Sequence, residues 1–118
     1  MTPGRNEDLL VEILERPSGA QLIQLSGPLT LRTLFEFQEA ARRHAGPLVV
    51  DVEKVPYMDS AGLGALIGIY ASCQRTGQKF AISNVPDRVL VLLEMTGVKG
   101  MLPCFPSIEE AEASVTSK

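Results

Sequence analysis

An aspartate followed at once by a serine, Asp59-Ser60, heads a segment with little side-chain bulk, Ala61-Gly62-Leu63-Gly64. A serine at the start of a helix can accept a backbone N–H as a cap, and the free N–H groups and positive dipole end there favour an anion. The spacing therefore fits either a plain cap or a hydroxyl that can carry an anionic group. Nucleophilic catalysis fits poorly. G-x-S-x-G would need a glycine where Met58 stands, and the single histidine, His44, belongs to a separate segment. No G-x-x-x-x-G-K-S/T phosphate loop is present, and Cys73 and Cys104 stand far apart with no cluster of other ligand types. The expectation is a binding protein and not an enzyme, with no cofactor, no metal and two reduced thiols.

Gly62 and Gly64 each weaken a helix by ~1 kcal/mol relative to alanine, so something is expected to compensate. The close approach of another backbone, the domain's own or a partner's, would do so. Gly64 and Gly68 extend the small-residue row by a turn, which packing on the domain's own sheet would also explain. Low-bulk positions beside the serine admit a partner to the backbone. The expected partner surface is accordingly Met58, Asp59, Ser60, Ala61, Gly62 and Leu63. Tyr57 and Met58 suit a partner contact and a core anchor equally. A bulky residue at Gly62 is expected to weaken partner binding and leave folding nearly intact.

The elements that must position these residues follow from periodicity. Leu9 to Leu14 and Ala20 to Leu25 are β-prone runs separated by Pro17-Ser18-Gly19. From Leu31 to His44, Leu31, Leu34, Phe35, Phe37 and Ala41 recur near helical spacing, with Thr30 or Thr33 as cap and Gly46-Pro47 as stop. Leu48 to Val52 reads as a strand covered on both faces. A second helix opens at Asp59 or Ser60, carries Leu63, Leu66, Ile67 and Tyr70 on its apolar stripe, and stops at Gly77. Lys79 to Ser83 reads as a strand, and Pro86 as the first residue of a third helix whose apolar face is Val89, Leu90, Leu92 and Leu93, ended by Gly97. Met101 to Phe105 is a weak strand that Pro103 confines to an edge, and Ser107 with Glu110 forms a capping box for a last helix. The order β-β-α-β-α-β-α-β-α predicts a single-domain α/β fold with a mostly parallel, open sheet of about five strands and about four helices. In such sheets functional loops gather beyond the carboxyl ends of the strands, where Asp59-Ser60 falls.

The chain has 118 residues, 45% hydrophobic and 21% charged, enough for one core and no second domain. Its net charge of −3 disfavours nucleic acid. The only basic cluster, Arg42-Arg43-His44, reads as a solvated helix end. The polar start, 1–7, is expected to be flexible and not to act as a signal peptide. The uncharged stretch from Ala61 to Ala71 falls short of the ~20 residues a membrane span needs. A cytoplasmic protein, without nucleic-acid or membrane partners, is expected, with its domain at 8–115 and a tail at 116–118.

The string Met58-Asp59-Ser60-Ala61-Gly62-Leu63-Gly64, after the strand Leu48 to Val52 and a short loop, resembles the signature of STAS-domain anti-sigma factor antagonists. Supporting similarity runs from Leu25-Ser26-Gly27-Pro28-Leu29-Thr30 through Glu94-Met95-Thr96-Gly97 to Ser107-Ile108-Glu109-Glu110-Ala111. The resemblance implies a domain that, unphosphorylated, binds an anti-sigma factor acting also as a serine kinase and so releases the sigma factor. It implies that the kinase phosphorylates Ser60 and that a serine phosphatase restores it, while the strand-helix alternation leads to the expectation of a compact monomer. Two departures stand out. The family often has Ser or Thr where this chain has Ala61, which precludes a second phosphorylation there, and often an acidic residue where this chain has Thr30. The other function implied by a similar motif is that of an unphosphorylated interaction subunit in a lipid-transport ABC system.

Overall fold

In the computed structural model, which describes residues 8–117, five strands and four helices follow one another in the expected order. The stretch 1–7, expected to be flexible, lies outside the described residues. Strands β1 (Leu10–Glu15) and β2 (Gln21–Ser26) form an antiparallel hairpin. Strands β3 (Leu48–Lys54), β4 (Phe80–Ser83) and β5 (Cys104–Phe105) then add in parallel, so the spatial order β1-β2-β3-β4-β5 is the chain order. The connections are α1 (Leu34–Arg42), α2 (Ser60–Thr76) and α3 (Asp87–Met95), and α4 (Ile108–Thr116) closes the chain. Thr116, assigned to the tail by its sequence, is the last residue of α4.

Alternation along the strands sorts the core into two layers. Ile23, Leu25, Leu48, Val50, Val52 and Ile82 meet Phe37, Leu66, Ile69, Val89 and Leu93 from α1, α2 and α3. Leu22, Val49 and Ala81 point the other way and are covered by Ala111 and Val115 of α4. All five residues from Leu48 to Val52 are buried, as their near-continuous apolar run requires.

A clasp fixes α4: Glu112 accepts hydrogen bonds from Arg16 Nε at 3.0 Å and from Ser18 Oγ, both in the β1–β2 turn. Ser107 caps α4 by accepting the Glu110 N–H at 3.1 Å. Burial pushes the thiols of Cys73, on α2, and Cys104, on β5, above their ordinary range.

Three sequence expectations need correction here. Leu31 and Phe35 do not join the stripe of α1: they are 65% and 69% exposed, while Leu34, Phe37, Ala40 and Ala41 are buried. Leu31 precedes the helix in a turn, and Phe35 lines an open groove between α1 and the edge strand β1. Pro86 is the extended residue before α3 and not its first helical one. The weak strand from Met101 shrinks to the two residues after Pro103, which has no N–H for a ladder.

Candidate functional site

The site is an outgrowth of the β2–β3 pairing. Past a register irregularity between Gln24 and Ser26, Gly27 takes a positive φ of 115° and donates its N–H to Lys54 O at 2.9 Å. A Cβ there would lie 2.2 Å from Asp8 O, so only glycine fits. Beyond the strand ends the pairing resumes as one parallel bridge between Leu29 and Met58. Leu29 N donates to Tyr57 O at 3.2 Å, and Asp59 N donates to Leu29 O at 3.3 Å. Two loops distant in sequence thus run side by side into the head of α2.

Asp59 fastens them. Its backbone is extended, its Oδ1 accepts the Gly62 N–H at 2.8 Å as the cap of α2, and its carbonyl accepts the Leu63 N–H at 2.9 Å. Its second oxygen, Oδ2, accepts the Leu31 N–H at 3.2 Å. One carboxylate therefore ties the start of α2 to the turn that leads into α1. The cap is Asp59 and not Ser60, which corrects one of the two sequence readings. Ser60 is the first helical residue, and it is exposed. Thr33 occupies the cap position of α1, but its hydroxyl turns back to accept from Thr30 N at 2.9 Å and to donate to Pro28 O at 2.9 Å. Thr30 Oγ1 accepts the Arg32 N–H at 3.3 Å, so the residue in the often-acidic position shapes the turn.

The glycines separate into two kinds. A Cβ on Gly62 would stand 2.0 Å from Leu29 O and 2.7 Å from Leu29 C, so the compensating close approach is made by the domain's own backbone. Gly64 and Gly68 are exposed, with nothing within 4 Å of an added Cβ. The expected partner surface divides in the same way. Ser60 is exposed and Asp59 and Ala61 are half-buried, within a partner's reach. Met58, Gly62 and Leu63 are buried and support the loop from beneath. Met58 alternates inward between Tyr57 and Asp59 in an extended segment, and Gly62 and Leu63 lie on the sheet-facing side of α2. A bulky residue at Gly62 would therefore disrupt the fold, contrary to the sequence expectation.

Sequence reasoning missed Leu29 and Leu31 as parts of the site. The only local signal was the Gly27-Pro28 turn before them. It also missed a buried cluster at the same end of the sheet, where Asp51 Oδ1 accepts from Ser83 Oγ and from Asn84 Nδ2, each at 2.7 Å. Asn84 holds a positive φ of 58°, and the cluster pins the turn into α3. Between that turn and the Asp59 loop lies an open cleft of about 830 Å³, lined by Glu53, Lys54, Tyr57, Asp87 and Arg88 among others. His44 is remote from this end: its Nε2 meets Pro47 O at 3.1 Å, in the loop before β3.

A sequence model of the STAS domain matches residues 13–111. Over 97 residues the chain is 30% identical to the anti-sigma F factor antagonist of Paenibacillus polymyxa, covering 78% of this chain and 83% of that protein. The chain belongs to the STAS family of anti-sigma factor antagonists. It is also 32% identical over 84 residues to the anti-sigma-B factor antagonist of Staphylococcus aureus, covering 68% of this chain and 78% of that one. The crystal structure of an anti-sigma factor antagonist from Mycobacterium paratuberculosis shares the fold of this STAS domain. Its TM-score is 0.80 over 91% of this chain and 93% of that chain, at 19% identity. No helix among the described residues of the STAS domain is long and apolar enough to cross a membrane.

Proposed function

We propose that this STAS domain is a cytoplasmic regulator, monomeric when free. Its unphosphorylated form binds an anti-sigma factor that is also a serine kinase, and thereby releases a sigma factor. Phosphorylation of Ser60 ends the binding, and a serine phosphatase restores it. One observation carries the reading: Ser60 is exposed at the first turn of α2 while Asp59 does the capping, so the serine hydroxyl can be modified without cost to the cap.

The energetics favour a switch of binding over a switch of folding. A phosphate adds about −1.5 to −2 charges at pH 7. At a helix N-terminus ~0.3–1 kcal/mol of favourable dipole interaction offsets part of its repulsion from Asp59, so the domain stays folded. Against a partner surface shaped for a neutral hydroxyl the same charge loses water without a matching cation, a penalty of several kcal/mol. Each ~1.4 kcal/mol is a tenfold loss of affinity. The test combines intact-mass measurement after incubation with kinase and ATP with calorimetric affinities for that kinase. Wild type gains one phosphate and loses binding, Ser60→Ala gains none and binds persistently, and Ser60→Asp binds weakly. A phosphate on Ser60→Ala, or wild-type affinity in Ser60→Asp, would overturn the assignment.

A further inference from the structure

We propose that the free edge of β1 docks an extended segment of a partner protein in which apolar and basic residues alternate, added to the sheet as a further strand. The site stands apart from Ser60 and does not rest on the functional reading above. Strand β1 pairs only with β2 among the described residues, so its outer row of backbone N–H and C=O groups is open. Such an edge templates another strand unless it is very short, bulged, broken by proline or covered. The opposite edge, β5, is blunted in this way, with two residues next to Pro103. β1 is not: its six residues keep an unbroken register with β2, include no proline, and are exposed at Leu10 and from Glu12 to Glu15. A strand laid along it would span about 20 Å, or about six residues.

The two faces of that edge specify the occupant. Pairing sets Ile13 opposite Ile23, on the α1 side of the sheet, where Ile13 and Phe35 line a groove of about 510 Å³ with Val11 and Ala40. Ile13 and Phe35 are 44% and 69% exposed, so apolar side chains of an added strand find matching surface to bury there. Leu10, Glu12 and Leu14 alternate to the other face, where α4 lies over β3 and β4 and leaves them exposed. A lysine or arginine on that face pairs its charge with Glu12 and lays its aliphatic stem along Leu10 and Leu14. Charge selects a foreign strand over a second copy of this chain. The exposed carboxylates Glu12, Glu15, Glu36 and Glu39 outnumber Arg43, the one cation lining the groove among the described residues. Two copies paired edge to edge would bring like patches together, whereas a basic strand meets its complement.

The probes are two short blocked peptides, one alternating valine with lysine and the other valine with glutamate, each titrated at low salt against the isotopically labelled domain while its amide resonances are followed. The valine-lysine peptide is expected to bind about tenfold more tightly or better, since each cross-strand charge pair changes sign between the two. Its shifts are expected to centre on Leu10–Glu15 and on the groove side of α1. Phe35→Gln and Glu12→Lys are each expected to weaken it severalfold with thermal midpoints unchanged. Met95→Gln, at a residue 80% exposed at the far end of α3, and Ser60→Asp are expected to bind it like wild type. No saturable binding, equal affinity for the two peptides, or wild-type affinity in either edge variant overturns the proposal. Shifts centred away from β1, or equal losses in the Met95 or Ser60 variant, overturn it as well. Concentration-dependent shifts at Leu10–Glu15 without peptide would assign the edge to a second copy and overturn the basic strand as its occupant.

Discussion

Replacing Gly62 with alanine adds one methyl group where α2 passes over the backbone of Leu29. That methyl would stand 2.0 Å from Leu29 O, whereas real Cβ contacts essentially never fall below 3.0 Å, so the helix and the loop must part by about 1 Å. Neither side yields easily. Leu29 is fully buried and held by its two bonds to the Tyr57–Asp59 segment, and the Gly62 N–H is the one Asp59 caps. Overpacking of this kind costs ~1–3 kcal/mol, and each weakened hydrogen bond costs ~1 more. Alanine's better helix propensity returns at most ~1 kcal/mol. The net expectation is a destabilisation of about 2 kcal/mol or more, which lowers the thermal midpoint by roughly 6–12 °C in a domain of this size. Gly64→Ala is the matched control: nothing lies within 4 Å of its added methyl, so only the propensity gain remains, up to ~1 kcal/mol of stabilisation. Urea and thermal unfolding of both variants, followed by circular dichroism, read the two signs. Gly62→Ala as stable as wild type would refute the claim that the Leu29 backbone is clamped against α2.

Asp59→Ala removes the acceptors of both the Gly62 and the Leu31 N–H groups and is expected to cost ~1–2 kcal/mol, while Asp59→Asn, an equally good cap, loses less; urea midpoints of the two decide it. Hydrogen bonds from Ser18 and then Arg16 hold the Glu112 carboxyl below the usual carboxylate range. Because its folded pKa is depressed, its contribution to stability is complete above the unfolded value near 4.5 and is lost as pH falls through the lower folded value. Glu112→Gln should therefore be less stable than wild type at neutral pH, with the gap closing in acid, as pH-dependent denaturation will show. Asp51→Ala strands the donors of Ser83 and Asn84 and is expected to cost about 2 kcal/mol or more, with Asp51→Asn costing less in the same urea titration.

The parts of the fold legible in the sequence are those set by local rules. The buried run of β3, the stop of α2 at Gly77 with its left-handed φ of 76°, and the Ser107 cap of α4 each depend on residues within a few positions. The head of α2 was legible to within one residue, since Asp and Ser are equally good caps and only the extended backbone of Asp59 separates them. What stayed hidden depends on contacts across long sequence separations. The second bond of Asp59 reaches back to Leu31, and the donors to Asp51 stand more than thirty positions later. No periodicity carries that information. Phe35 misled for the opposite reason: its spacing fits a helix stripe, but the short α1 buries only a narrow face, and the side chain lies outside it.

The strand order of the sheet has a consequence for how the chain is made. Each strand pairs with the one synthesised just before it, so a chain emerging from a ribosome can add every new strand to an edge already in place, without leaving a gap for a later segment. The loops that hold Asp59 are both present once α2 has emerged, before β4, α3, β5 and α4 exist. The opposite face of the sheet waits longer. Leu22, Val49 and Ala81 gain their cover only when α4 arrives and Glu112 latches onto Arg16 and Ser18. A nascent chain halted before α4 would present that apolar face to chaperones, with its Ser60 loop already assembled.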